Sequence, residues 1–329
     1  MIIYFILLIL ILLLSLSVYN WLEKYKIVSV MDNKAGFFSG LFFMVNQYAY
    51  AKKHKKKFEL DTANWSYKYK DGWGDYFKNF DLKYGVNNYR VKSYNHGNIL
   101  HDISINDYRD AIKLLYRYND KTKKFILETT KKLNLLSRKY DSVYIRRGDK
   151  LYSESSIIPG HKYIDILVLK NKDCKIVYLQ TDDYSSYLEL EKYNKEKNLN
   201  LEILTLCHPD NRGAIYNGHY KDLLLQVQSG NNKNSEHVKN NINLIKKSKS
   251  LAEMSPEEKY NHTLELIAGI DIISNSNICV LDYQSNISRF IKLFHKSPEN
   301  VFDIQNPDSD WDYSIVDIPA YHGNFHKNM

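Results

Sequence analysis

Strand-like and helix-like segments alternate through the second half of this 329-residue chain. Apolar runs suited to strands lie near 142–146, 175–180, 201–205 and 277–282. Helical patterns lie between and after them, near 160–169, 184–197, 215–228, 256–270 and 285–295. Such alternation is typical of βαβ units, which build parallel sheets covered by helices. The pattern therefore predicts a Rossmann-like lobe.

The first half repeats this order on a smaller scale. A short strand at 26–30 precedes a glycine-containing turn at 36–40, a helix and a second strand at 58–61. Residues 107–139 are helical in period, with a break near 119–120. The predicted fold class is α/β, with one lobe over 23–140 and a second over 141–329.

Composition and charge limit the kinds of ligand that the chain is expected to bind. The chain is 44% hydrophobic and carries a formal net charge of +8, which suits an anionic small ligand or a membrane surface as well as nucleic acid. There is no zinc-finger spacing and no basic arm with interleaved aromatics, so nucleic acid is not the expected partner. Cys174, Cys207 and Cys279 are far apart, which favours buried free thiols over a disulfide framework or metal cluster.

The N-terminus is almost wholly apolar. Residues 2–18 are interrupted only by Tyr4, Ser15 and Ser17, and aromatic residues follow. This length suits a bilayer span, so residues 1–22 are predicted to be an uncleaved, single-pass signal-anchor in a secretory-pathway-like or host membrane. A cleaved signal peptide is the alternative, although there is no basic n-region. The orientation stays open.

The strongest chemical motif follows the strand at 142–146. Residues 144–150 read Tyr-Ile-Arg-Arg-Gly-Asp-Lys, and Glu154 comes shortly after. Arginine binds phosphate oxygens in a bidentate manner and stays charged near neutral pH, so the pair is suited to clamp a diphosphate. A nearby carboxylate is suited to act as a general base. A solvated basic turn is the plainer interpretation.

Three other segments accompany this motif. The strand near 177–181 ends in Asp182 and Asp183. These two carboxylates are suited to bind a metal, to cap the next helix or to pair with a nearby arginine. We favour the cap and the arginine pairing over the metal. Ser285 begins a helix, where it is suited to bind a phosphate or simply to cap. The aromatic segment 64–77 is either a carbohydrate-stacking surface or lobe packing. There is no glycine-rich dinucleotide motif after a strand and no P-loop.

Together these motifs resemble the α1,6-fucosyltransferase family, which includes N-glycan core and nodulation-factor enzymes. The similarity rests on five motifs in order between about residues 27 and 295. They are Asn64-Trp65-Ser66-Tyr67 with Gly72–Phe77, the arginine motif with Glu154, Pro159 and Tyr163, Leu179–Asp183, Asp271, and Ser285 with Arg289. The family's histidine before the arginines is Tyr144 here. The animal enzymes' coiled-coil stem and SH3-like domain have no counterpart.

The resemblance implies a GT-B-like fold with the active site in the cleft between two lobes. It also implies inverting, metal-independent transfer of fucose from GDP-fucose to a glycan hydroxyl, with no cofactor. The implied catalytic residues are Glu154 as base and Arg146 and Lys150 as cations. The implied donor-binding residues are Gly36, Tyr67, Tyr144, Arg146, Arg147, Asp149, Tyr163, Asp182, Asp183, Asp271 and Ser285. The alternatives are transfer of another sugar, or a membrane-tethered glycan-binding protein that has lost catalysis.

Overall fold

A computed structural model describes residues 2–23, 26–31, 36–53, 57–79, 88–89, 104–147, 157–211, 251 and 253–308. The described residues up to Asn119 form one compact unit, and those from Asp120 onward form a second. The predicted lobe boundary lay at 140/141. The division comes earlier because the helix at 120–132 packs against a helix of the second unit.

The first unit contains a three-stranded parallel sheet in the order β2-β1-β3. Its strands are β1 (Lys26–Val30), β2 (Lys57–Asp61) and β3 (Asn88–Tyr89), and its helices are α1 (Ile2–Glu23), α2 (Phe37–Lys53) and α3 (Ile105–Leu115). Helix α2 connects β1 to β2 and packs on both strands. Helix α3 begins at a capping box, in which the Ser104 hydroxyl accepts from the Asp107 N–H while the Asp107 carboxylate accepts from Ser104.

Helix α1 is rich in apolar residues but also contains Ser15, Ser17, Asn20 and Glu23, and its side chains from Tyr4 to Leu14 are exposed. Across the described part of the chain, no helix combines the length and the apolarity that a bilayer crossing requires. The N-terminal anchor expected from the sequence is therefore not supported.

The aromatic segment 64–77 packs inside the first unit. Trp65, Tyr67 and Trp73 are buried, and Trp73 stacks on Phe77 with ring centroids 4.2 Å apart. Gly72 has φ +68°, and a Cβ there would lie 2.0 Å from the Thr62 hydroxyl oxygen, so this turn requires glycine. The interpretation as lobe packing is thus correct, and the carbohydrate-stacking alternative is not supported.

The second unit is built on a five-stranded parallel sheet in the order β6-β5-β4-β7-β8. Its strands are β4 (Asp141–Ile145), β5 (Ile176–Thr181), β6 (Glu202–Thr205), β7 (Cys279–Leu281) and β8 (Val301–Asp303). Its helices are α4 (Asp120–Lys132), α5 (Gly160–Lys170), α6 (Tyr184–Lys197), α7 (Pro256–Ser274) and α8 (Asn286–Phe294). The helix predicted near 215–228 lies outside the described residues.

The hydrophobic core of the second unit explains why its strands are recognisable in the sequence. Val143, Val177, Leu179 and Val280 are fully buried in one cluster with apolar residues of α5 and α6. Strands covered on both faces are rich in large apolar residues, and the apolar stretches within β4, β5 and β7 make these strands recognisable in the sequence. Cys174, Cys207 and Cys279 are buried free thiols, as predicted.

One buried titratable group predicts a pH effect. The His295 ring lies at the end of α8, with Nε2 3.3 Å from Ser276 Oγ and Nδ1 2.8 Å from the Ser297 carbonyl oxygen. Burial of the ring lowers the pKa of His295 to about 4. The unfolded chain then binds a proton below about pH 6.5 that the folded chain does not accept until about pH 4, so acid favours unfolding.

We expect the free energy of unfolding to fall by up to about 3 kcal/mol through this His295 effect between those two pH values. Urea unfolding of the wild type and His295→Gln, from neutral pH to about pH 4.5, checks this. The variant should show a shallower decline. The matched control is His208→Gln, which makes the same substitution at an exposed histidine. Equal slopes for the wild type and His295→Gln would contradict the effect.

Candidate functional site

An arginine and an aspartate meet where β4 and β5 end. Arg146 is the first residue after β4, and Asp182 is the first after β5. The two parallel strands run in register, so both residues emerge at the carboxyl edge of the sheet. Arg146 Nε lies 3.3 Å from Asp182 Oδ2, and the two side chains are 22% and 17% exposed. Ligands of open α/β sheets bind outside this edge, so the pair marks the candidate site.

Tyr144 connects this pair to a helix start. Its hydroxyl is near the Ser285 and Arg146 side chains, and both of them favour the ionised phenol. Burial raises the pKa of Tyr144 above its ordinary value, so the phenol stays neutral. Ser285 is the N-cap residue of α8, yet its side chain makes no cap hydrogen bond. The structure thus brings Tyr144, Arg146, Asp182 and Ser285 together at one edge, next to the positive end of a helix.

Arg147 has a different environment from its neighbour. Its side chain is 1% exposed, so it is turned into the protein. Nη1 donates to the Ile158 carbonyl oxygen at 2.9 Å, and Nη2 donates to Glu189 Oε2 at 3.1 Å. Its backbone N–H donates to Asp182 Oδ1 at 2.8 Å. The two adjacent arginines therefore separate into an edge residue and a buried, structural one.

The neighbouring predicted residues are also buried. Asp183 is the N-cap of α6, and its Oδ1 accepts from the Ser185 N–H at 2.8 Å. Tyr163 packs in the core cluster, where burial raises the pKa of its phenol and the charge of Arg147 opposes this. The aspartate pair thus caps a helix and binds an arginine, which are the uses that we favoured.

Asp271 is not brought to this edge. It lies in the last turn of α7, which leads into the amino end of β7, and its Oδ2 accepts from Asn275 Nδ2 at 3.1 Å. The same turn receives a hydrogen bond from the Tyr140 hydroxyl, just before β4 begins. Asp271 therefore lies at the opposite end of the strands from Arg146 and Asp182, and its predicted contact with the donor stays a prediction.

In the first unit, two predicted residues meet at the start of α2. The Tyr67 hydroxyl oxygen accepts from the Phe37 N–H at 3.0 Å, and the Gly36 carbonyl oxygen accepts from the Gly40 N–H at 2.9 Å. No heavy atom lies within 4 Å of the position that a Cβ on Gly36 would take. Gly36 and Tyr67 thus lie side by side, with open space next to Gly36.

Asp149, Lys150 and Glu154 lie outside the described residues. Their predicted roles stay predictions. Within the residues that are described, no group of three or more metal-binding side chains is arranged around a common point.

Glu189 is the residue of this region that the sequence did not single out. It lies on α6 within Leu-Glu-Leu-Glu-Lys, a sequence typical of a solvated helix face. Its carboxylate accepts from Arg147 and, at 3.1 Å, from the Gly160 N–H at the start of α5. The one sequence signal was indirect, because an arginine at the end of a buried strand requires a carboxylate partner if it is itself buried.

Comparison with known proteins gives a fold relationship. No protein-family model matches the chain, and no curated protein does. Among solved structures, the NodZ α-1,6-fucosyltransferase soaked with GDP-fucose matches with a TM-score of 0.50 and 11% identity, over 87% of this chain and 98% of that one. Fucosyltransferase NodZ from Bradyrhizobium matches with a TM-score of 0.50 and 10% identity, over 87% and 97%. The predicted resemblance to the α1,6-fucosyltransferase family is therefore confirmed at the level of the fold.

Proposed function

We propose that this chain is a glycosyltransferase that moves fucose from GDP-fucose to a hydroxyl of a glycan acceptor. The observation that carries the proposal is the Arg146–Asp182 pair, with Tyr144 and Ser285, at the carboxyl edge of a parallel sheet. The fold is similar to that of a fucosyltransferase whose crystal was soaked with GDP-fucose. A partly exposed, permanently charged group at such an edge suits a diphosphate.

The proposed reaction is a single displacement. The acceptor oxygen forms a bond to C1 of fucose while the bond from C1 to the β-phosphate oxygen breaks, and GDP leaves. The acceptor proton passes to Glu154, and attack from the face opposite GDP inverts the anomeric configuration. Arg146, with Lys150 in support, offsets the charge that develops on the leaving β-phosphate. Tyr144 and Ser285 orient Arg146 and the start of α8.

The experiment incubates the purified full-length chain with GDP-fucose and a panel of glycans, and measures transfer by mass spectrometry of the acceptors. The addition of one fucose to an acceptor supports the proposal. Transfer only from another nucleotide sugar would keep the glycosyltransferase class and replace the sugar. Nucleotide binding without any transfer would favour a protein that has lost catalysis.

Glu154→Gln separates chemistry from binding. The amide has nearly the same shape as the carboxylate but does not accept a proton at neutral pH, so we expect turnover to fall by on the order of 10²- to 10⁴-fold. GDP-fucose affinity should stay at the wild-type value, because the base acts on the acceptor. Steady-state kinetics and calorimetric titration of the variant check both expectations. Wild-type turnover would show that Glu154 is not the base.

Metal removal tests the electrostatic part of the proposal. Asp182 is bonded to both arginines and Asp183 caps α6, so the two carboxylates already have partners that suit a metal-free site. We expect transfer to continue at the wild-type rate after treatment with EDTA, since fixed cations serve the leaving group. The assay compares EDTA-treated protein with and without added Mn²⁺. Loss of transfer that Mn²⁺ restores would contradict metal independence.

A further inference from the structure

Two adjacent arginines leave the same strand, yet one is buried and the other lies at the candidate site. A guanidinium cannot lose its proton under ordinary conditions, so burying Arg147 requires a compensating carboxylate nearby. Glu189 is that carboxylate, and its own side chain is 38% exposed. The pairing therefore compensates the charge of the arginine that is turned inward.

The same carboxylate joins three secondary-structure elements. Glu189 Oε2, on α6, accepts from Arg147 at the end of β4 and from the Gly160 N–H at the start of α5. A Cβ on Gly160 would lie 2.5 Å from Leu190 Cδ1 and 3.1 Å from Glu189 Oε2, so this close approach depends on glycine. Arg147 adds a bond to the Ile158 carbonyl oxygen. The position of Arg147 is thus fixed from several sides.

A short chain of contacts connects this arrangement to Arg146. The backbone N–H of Arg147 donates to Asp182 Oδ1, and Asp182 Oδ2 pairs with Arg146 Nε. The orientation of the Asp182 carboxylate, and with it the guanidinium of Arg146, therefore depends on where the Arg147 backbone lies. Glu189 fixes that backbone through the Arg147 side chain.

We propose that Glu189 is a positioning residue, which holds Arg147 inward so that Asp182 presents Arg146 to the diphosphate. This proposal rests on the proposed function only for the identity of the ligand. Glu189 acts through Arg147 and Asp182 and does not contact the nucleotide. Its loss should weaken binding of the diphosphate even in protein that stays folded.

The test uses the full-length chain with Glu189→Gln, which keeps an acceptor oxygen, and Glu189→Ala, which removes it. Glu191→Gln is the matched control on the same helix, because Glu191 pairs with the exposed Lys195. GDP and inorganic pyrophosphate are titrated by calorimetry at a temperature where circular dichroism shows every variant to be folded. We expect affinity to fall by on the order of 10- to 100-fold in Glu189→Ala and by less in Glu189→Gln, with no change in the control.

A double variant separates positioning from stability. Arg147→Met combined with Glu189→Gln removes both charges, so it should fold without an unpaired buried ion. If Glu189 serves stability alone, this variant regains wild-type affinity for GDP. If Glu189 positions Arg146, the affinity stays low because the Arg147 side chain no longer bonds to Ile158 or to residue 189. Wild-type affinity in the double variant or in folded Glu189→Ala would overturn the inference.

Crystal structures of the Glu189 variants keep this test independent of the proposed function. If the wild type binds neither GDP nor pyrophosphate, the proposed function fails. The crystal structures then decide by themselves whether Glu189 positions Arg146. The inference then predicts that the Arg146 Nε to Asp182 Oδ2 contact of 3.3 Å is lost or rearranged. An unchanged contact in the variants would overturn it.

Discussion

Arg146→Ala is expected to lower turnover of GDP-fucose by on the order of 10²- to 10³-fold, because it removes a preorganised cation from the leaving group. The fold should survive. Arg146 lies at the surface of the sheet edge, and Asp182 keeps its bond from the Arg147 N–H when the Arg146 side chain is gone. Steady-state kinetics measures the loss, and circular dichroism checks the fold.

Two further variants sharpen this prediction. Arg138 also pairs with a carboxylate, that of Glu202, and it precedes β4 at the opposite end of the sheet. Arg138→Ala should leave turnover unchanged, which controls for the loss of one positive charge. Arg146→Lys keeps the charge but loses the planar fork, so it should recover only part of the activity. Wild-type kinetics in Arg146→Ala would remove Arg146 from the proposed mechanism.

Arg147→Ala is expected to lower the free energy of unfolding. Its guanidinium is 1% exposed and donates to Glu189 and Ile158, so truncation empties a buried position and leaves the Ile158 carbonyl oxygen without this donor. Leaving a buried acceptor without its donor typically costs about 1–3 kcal/mol, which is a substantial share of the about 5–15 kcal/mol by which proteins are stable. Urea unfolding of the purified variant measures the change.

The control for this prediction is again Arg138. Its ion pair with Glu202 is exposed to solvent, which screens it, so Arg138→Ala should leave the free energy of unfolding close to the wild-type value. Arg146→Ala should thus lower turnover and Arg147→Ala should lower stability, because Arg146 lies at the sheet edge and Arg147 is buried. Equal stability of Arg147→Ala and the wild type would contradict the structural role of Arg147.

The fold of the second unit was largely readable from the sequence. Helix α6 begins after its cap Asp183 and ends at Asn198, which is left-handed, and both residues are typical helix boundaries. Strands β4 and β5 were readable because both faces are covered, and each contains a run of large apolar or aromatic residues, Val143–Ile145 and Ile176–Leu179. The carboxyl edge, and with it Arg146, Asp182 and Ser285, followed from the parallel arrangement of these strands.

Two other features of this region did not follow from the sequence pattern. The family resemblance implied that Asp271 contacts the donor, whereas a helix that precedes a strand ends at the amino edge of the sheet, where the structure places this residue. Glu189 was missed because its partner is 42 residues away and its local sequence is typical of a solvated helix. The sequence left open which arginine is buried, since that depends on this distant carboxylate.

The most direct test of the central claim is calorimetric titration of the wild type and Arg146→Ala with GDP-fucose, GDP-mannose and UDP-sugars. We predict that the wild type prefers GDP-fucose and that Arg146→Ala loses most of this affinity. A wild type that binds none of these nucleotides, or binds GDP-fucose equally well without Arg146, would contradict it.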